Sequence, residues 1–152
     1  MTTFFGYKNN SMEDAMTNHN VDKIVISLYD YTGEALKPWA EAGYTCYAYD
    51  IQHDGTVLDM FGSGGCIKYM NADLHDMSYL DAIYDSLSGK EVTFAMAFPV
   101  CTHLAVSGSK WFASKREADP LFQRKAANYA IWCAELFDAL DCPYFIENPV
   151  SV

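Results

Sequence analysis

The chain has 152 residues, 51% of them hydrophobic, with twenty acidic against ten basic side chains and a formal charge of −10 at pH 7. That length suits one domain burying about two-thirds of its unfolded surface, and the apolar content excludes disorder beyond the first twenty or so residues. The acidic balance disfavours unaided binding to nucleic acid, whose affinity comes largely from neutralising phosphates.

No secretory signal or membrane-length apolar run is seen. Cys46, Cys66, Cys101, Cys133 and Cys142 include no CxxC pair and share no metal-ligand spacing with His19, His53, His75 and His103. Reduced thiols in a cytoplasmic protein, without a structural metal, are therefore expected.

Residues 1–20 are polar and Asn-rich and read as a weakly structured segment, with a short helix over 11–18 capped by Ser11. Lys23–Asp30 is a continuous β-branched run, the mark of a buried parallel strand. After Tyr31-Thr32-Gly33, residues 34–42 read as a helix that tolerates Pro38 in its first turns and stops at Gly43. Tyr44–Asp50 is a second strand ending on a carboxylate. This strand–turn–helix–strand unit brings the helix N-terminus and Asp50 to one sheet edge. With one Gly in the turn and no GxGxxG, a pyrophosphate is poorly served and a nucleoside-bearing ligand fits better. Asp50 serves equally as an ordinary strand-end carboxylate leading into the His53-Asp54-Gly55 turn.

Residues 51–65 are rich in Gly and Asp and too short for a crossover helix with its loops. A third strand, 66–70, leads to Asp73, either a ligand contact or a helix N-cap. Ser78–Leu87 fits an amphipathic helix ending at Gly89. The fourth strand, Val92–Phe98, runs into Pro99-Val100-Cys101. A thiol delivered just past a strand end is a candidate nucleophile, although free Cys is also among the most buried residue types. The chain then reads as irregular through Pro120, a length that suggests function or mobility. Lys110 beside Trp111 either stacks on a base and meets a phosphate, or anchors the loop. Half of the basic residues (Lys110, Lys115, Arg116, Arg124, Lys125) fall in this stretch and just beyond it, as a solvated face or a nucleic-acid contact. The helix 120–140 carries a core stripe at Phe122, Ala126, Tyr129, Ala130, Cys133, Phe137 and Leu140, and 143–146 make a fifth strand ending at Glu147-Asn148-Pro149.

Strands alternating with helices predict an α/β fold: a doubly wound, mostly parallel sheet of about five strands in the order 3-2-1-4-5. Asp30, Asp50, Asp73, Cys101 and Glu147 all fall at carboxyl ends of strands, where such sheets bind ligands.

In these residues the chain resembles the DNA cytosine-5 methyltransferases, which use S-adenosylmethionine. Ser27-Leu28-Tyr29-Asp30-Tyr31-Thr32-Gly33-Glu34 looks like the family's first motif, and Pro99-Val100-Cys101 is similar to its Pro-Pro-Cys loop. Glu147-Asn148-Pro149 is similar to its Glu-Asn-Val motif, 46 residues after the cysteine. The likeness covers about residues 22–150. It implies a Rossmann-like methyltransferase domain over 21–152. Leu28, Tyr29, Asp30, Thr32, Gly33, Glu34, Phe98 and Pro99 then lie against the cofactor. Asp50 and Ile51 meet its ribose and adenine, and Asp73 and Leu74 its adenine amino group.

The resemblance also implies that the Cys101 thiolate adds to carbon 6 of cytosine, while Glu147, protonated in an apolar pocket, donates to ring nitrogen 3. Asn148 fixes Glu147 or the loop, and His103, Ser107, Lys110 and Trp111 contact the substrate. His103 assists in deprotonating Cys101 or makes a loop hydrogen bond. S-adenosylhomocysteine is the product, no metal takes part, and the base is flipped or single-stranded.

Ser27, Tyr31, Glu34 and Val100 depart from the family's residues. Its later motifs and target-recognition domain have no counterpart before Val152, so the domain reads as incomplete at its C-terminus. DNA is then engaged through a missing domain or a second chain, and the last strand offers an open edge for a homodimer. Similar Cys-Thr-His segments in short phage-type relatives imply a phage-encoded protein in the host cytoplasm. Two other readings stand beside this one: a catalytically inactive cofactor-binding or DNA-mimic module, and an enzyme acting on a free nucleotide or on the cofactor itself.

Overall fold

A computed structural model of the chain describes residues 19–100, 103 and 106–147, for 106–108 the backbone alone. The expected helix over 11–18, Cys101 and Asn148 lie outside the described residues.

The strands are β1 (Ile24–Leu28), β2 (Thr45–Asp50), β3 (Leu58–Met60), β4 (Cys66–Asn71), β5 (Val92–Ala97) and β6 (Tyr144–Ile146); the helices are α1 (Lys37–Glu41), α2 (Met77–Leu87), α3 (Phe112–Ala118) and α4 (Phe122–Ala139). The fold is α/β with one mostly parallel sheet. Its strand order departs from the expected five: six strands run β3-β4-β2-β1-β5-β6, and β3 pairs antiparallel with β4 at one edge. The five expected strands keep their relative places; the hairpin strand is what the sequence pattern missed. It fills the stretch too short for a crossover helix and is exposed along its whole length, so no apolar run announces it.

All five residues of β1 are buried, because the strand lies at the middle of the sheet with helices on both faces. Alternate side chains serve the two layers. Ile24, Ile26 and Leu28 join Leu80, Ile83, Cys133 and Phe137 under α2 and α4, whereas Val25 joins Leu36 and Ala40 under α1. The stripe on α4 buries Phe122, Ala126, Cys133 and Phe137 as its spacing predicts. Phe137 is wholly enclosed, and removing such a ring typically costs about 3–5 kcal/mol.

Two helices differ from expectation. Residues 34–42 begin as a 3₁₀ turn, Glu34–Leu36, before the single α-helical turn of α1, whose start holds Pro38. The stretch expected to be irregular forms a 3₁₀ segment, Val106–Trp111, and then α3. No residue of α3 is buried, so it lacks the apolar stripe by which a sequence reveals a helix. Among the described residues no helix is long and apolar enough to cross a membrane.

Candidate functional site

The chain leaves β1 through a strained corner. Tyr29 has φ = 57°, a left-handed conformation that a bulky residue adopts at a cost of about 1–2 kcal/mol. Its hydroxyl donates to the Leu74 carbonyl at 3.2 Å, which ties the β1 corner to the loop after β4. Burial pushes its phenol well above the ordinary range, helped by Cys133, Tyr129 and Asp73. Strain that persists because its surroundings hold it is concentrated at functional sites.

Gly33 ends the same turn at φ = 69°, and its amide donates to Asp30 Oδ1 at 2.7 Å. A side chain there would meet Tyr69, whose hydroxyl lies 2.7 Å from the position of an added Cβ. Tyr69 in turn donates to Asp59 Oδ2 at 2.8 Å. Its phenol is pushed up to about 12, by burial first and then by Asp59, Asp30 and Glu34. The overlooked hairpin strand thus supplies the group that locks this corner. Asp30 is buried, and its Oδ2 has no partner among the described residues.

Asp50, at the end of β2, is buried and accepts from the Gln52 backbone amide at 2.9 Å and side-chain amide at 3.3 Å, both at Oδ1. Asp73 Oδ1 accepts from the His75 amide at 3.1 Å, while the cap of α2 is Asp76, which accepts from the Ser78 amide. The N-cap role weighed for Asp73 belongs to Asp76.

These elements line a cavity of about 160 Å³ with Tyr29, Asp50, Ile51, Asp73, Leu74 and His75, together with Val100 from the loop after β5. His75 and Val100 also line a larger cleft of about 420 Å³ between the loop after β5 and helices α3 and α4. Five of the cofactor residues expected from the sequence meet in the smaller cavity, and one expected substrate residue, His103, lines the larger.

The remaining expected residues stand elsewhere. Leu28 is wholly buried in the core. Thr32 Oγ1 accepts from the Glu34 amide, and Glu34 pairs with Lys37 on the surface. Phe98 packs edge-on against Phe145, and its amide continues the β5 ladder to the Leu28 carbonyl. Pro99 is half-buried and lines neither cavity. Lys110 lies 5.3 Å from the Trp111 ring centroid, and both are exposed; the ring that anchors this segment is Phe112, against Phe122. Ser107 falls in the 3₁₀ segment described by backbone alone.

Glu147 follows β6, its amide donating to the Ala97 carbonyl at 2.9 Å. Its side chain is exposed, so the apolar pocket expected around it is absent among the described residues. Two strand spacings, roughly 10 Å, separate β6 from β1. The sequence marks Tyr129 only as part of the α4 core stripe and assigns His75 no role, yet their rings stack and draw the loop after β4 onto α4. Among the described residues no three His, Cys, Asp or Glu side chains are grouped to hold a metal. No family model, curated protein or solved structure matches the chain, so the site stands on its own geometry.

Proposed function

We propose that the chain binds S-adenosylmethionine at the carboxyl ends of β1, β2 and β4 and directs methyl transfer to carbon 5 of a cytosine ring, as in the DNA cytosine-5 methyltransferases it resembles. The observation that carries this reading is the convergence of Tyr29, Asp50, Ile51, Asp73 and Leu74 on one cavity that Val100, the residue before Cys101, also lines.

The residues present fit the nucleoside part of the cofactor. Asp50 suits paired ribose hydroxyls, the exposed side chain of Ile51 suits the adenine face, and Asp73 suits its amino group. Asp30, whose Oδ2 has no partner among the described residues, is buried at the same corner but lines neither cavity. The bound cofactor supplies an electrophilic methyl group on sulfonium sulfur.

The rest of the chemistry belongs to the chain. Cytosine carbon 5 is a weak nucleophile; addition of the Cys101 thiolate to carbon 6 pushes electron density onto carbon 5, while Glu147 gives a proton to nitrogen 3. Once carbon 5 carries the methyl group, a water molecule takes the carbon 5 proton and the carbon–sulfur bond breaks to release the thiolate. Glu147 takes back the proton from nitrogen 3, which restores the ring. Because Glu147 is exposed, the bound base itself must cover it and exclude water.

Calorimetry with S-adenosylhomocysteine tests the reading. Binding is expected for the unaltered chain, and Asp50→Ala should weaken it at least about tenfold through lost charge-assisted hydrogen bonds. Absence of heat at millimolar ligand on folded protein refutes it. Covalent trapping of a fluorinated cytosine substrate should occur and should disappear in Cys101→Ala.

A further inference from the structure

The larger cleft reverses the sign of the chain around it. Acidic residues outnumber basic ones two to one overall, yet Lys115 from α3 and Lys125 from α4 line this cleft against one carboxylate, Asp119. Its remaining polar lining is His75, Tyr129 and His103. The His75 and Tyr129 rings are stacked on each other and form an aromatic wall. His103 Nδ1 is shielded from solvent and has no partner among the described residues. Lys125 meets Asp119 at 2.6 Å, but an exposed pair of this kind is weak, so an incoming anion can recruit the ammonium group.

We propose that this cleft binds a single nucleotide, with its base at the His75–Tyr129 wall and its phosphate between Lys115 and Lys125. The volume, about 420 Å³, falls in the range of small-molecule sites. A duplex carries one negative charge per roughly 1.7 Å of axis and is repelled by a chain of net charge −10, whereas a single phosphate brings only about −1.5 to −2, within what two lysines can meet even beside the Asp119 carboxylate. The choice of cytosine as base rests on the proposed function; the nucleotide site itself rests on the cleft.

Calorimetry on the full chain with deoxycytidine monophosphate, deoxycytidine, short single-stranded and duplex oligonucleotides, and S-adenosylhomocysteine tests this. The monophosphate should bind at least about tenfold more tightly than the nucleoside, in keeping with charge-assisted phosphate contacts. Lys115→Gln and Lys125→Gln should each remove most of that advantage while leaving S-adenosylhomocysteine binding unchanged. Equal affinity for nucleoside and monophosphate, indifference to both substitutions, or tighter binding of either oligonucleotide overturns the proposal. Silence toward the monophosphate with S-adenosylhomocysteine still bound removes this inference alone. The opposite pattern supports the nucleotide site and removes the methyltransferase reading.

Discussion

The imidazole of His75 lies flat on the phenol of Tyr129, centroids 3.8 Å apart and planes 4° from parallel. One ring follows β4 and the other sits midway along α4, so the contact fastens a residue that lines both cavities to one that lines the larger. A double-mutant cycle on His75→Ala and Tyr129→Ala should give a coupling of about 0.5–1.5 kcal/mol in urea unfolding. Additive single effects would show that the rings merely lie near one another.

Gly33 and Gly55 allow strain and crowding to be separated. Both have positive φ, but a Cβ at Gly33 meets Tyr69 while one at Gly55 meets open space. Gly33→Ala should cost about 1–3 kcal/mol, and Gly55→Ala should cost less, because only the backbone conformation opposes it. Equal losses in denaturation midpoint would mean that Tyr69 yields freely despite its bond to Asp59.

Burial pushes the Cys46 and Cys133 thiols up to about 12. At pH 8 only about one in ten thousand of each is thiolate, and the thiolate is the reactive form. Mass spectrometry after brief alkylation of native protein should find both unmodified, with label appearing only on denaturation. The cysteine proposed as nucleophile, Cys101, should react first. Labelling of Cys133 ahead of Cys101 would contradict that assignment.

Asp76 caps α2 through the Ser78 amide and hydroxyl, bonds that hold its carboxyl below the ordinary value of 3.8. A lowered folded value means stabilisation present above pH 3.8 and lost as pH falls through the folded value. Asp76→Ala should therefore lower the melting temperature at pH 7, and the gap from the unaltered chain should narrow below pH 3.8. A gap that stays constant down to pH 2 would show that the charge of the cap contributes nothing.

Much of the scaffold was legible because its elements are strongly patterned. β1 is buried throughout and β5 over residues 95–97, so both read as largely apolar runs, and α4 repeats its apolar residues at helical spacing. The placement of Asp50 and Asp73 at strand ends was legible too, since a carboxylate cannot continue into a buried strand without a partner. β3 and α3 were not legible: each is short and exposed, and without a buried face there is no periodicity to read.

What the residues determined by themselves is a wound, mostly parallel sheet with Asp50 and Glu147 at the carboxyl ends of its strands, because burial imposes its pattern locally, residue by residue. What only the tertiary structure decided is which of these meet. Tyr29 turns into a cavity because the Leu74 carbonyl, 45 positions away, holds its hydroxyl. Tyr69 closes the Gly33 corner because a hairpin strand brings Asp59 to it. His75 lines both clefts, and stacks on Tyr129 of the larger, because the loop after β4 packs on α4. Such meetings depend on how elements dock, and docking leaves no periodic trace in the chain.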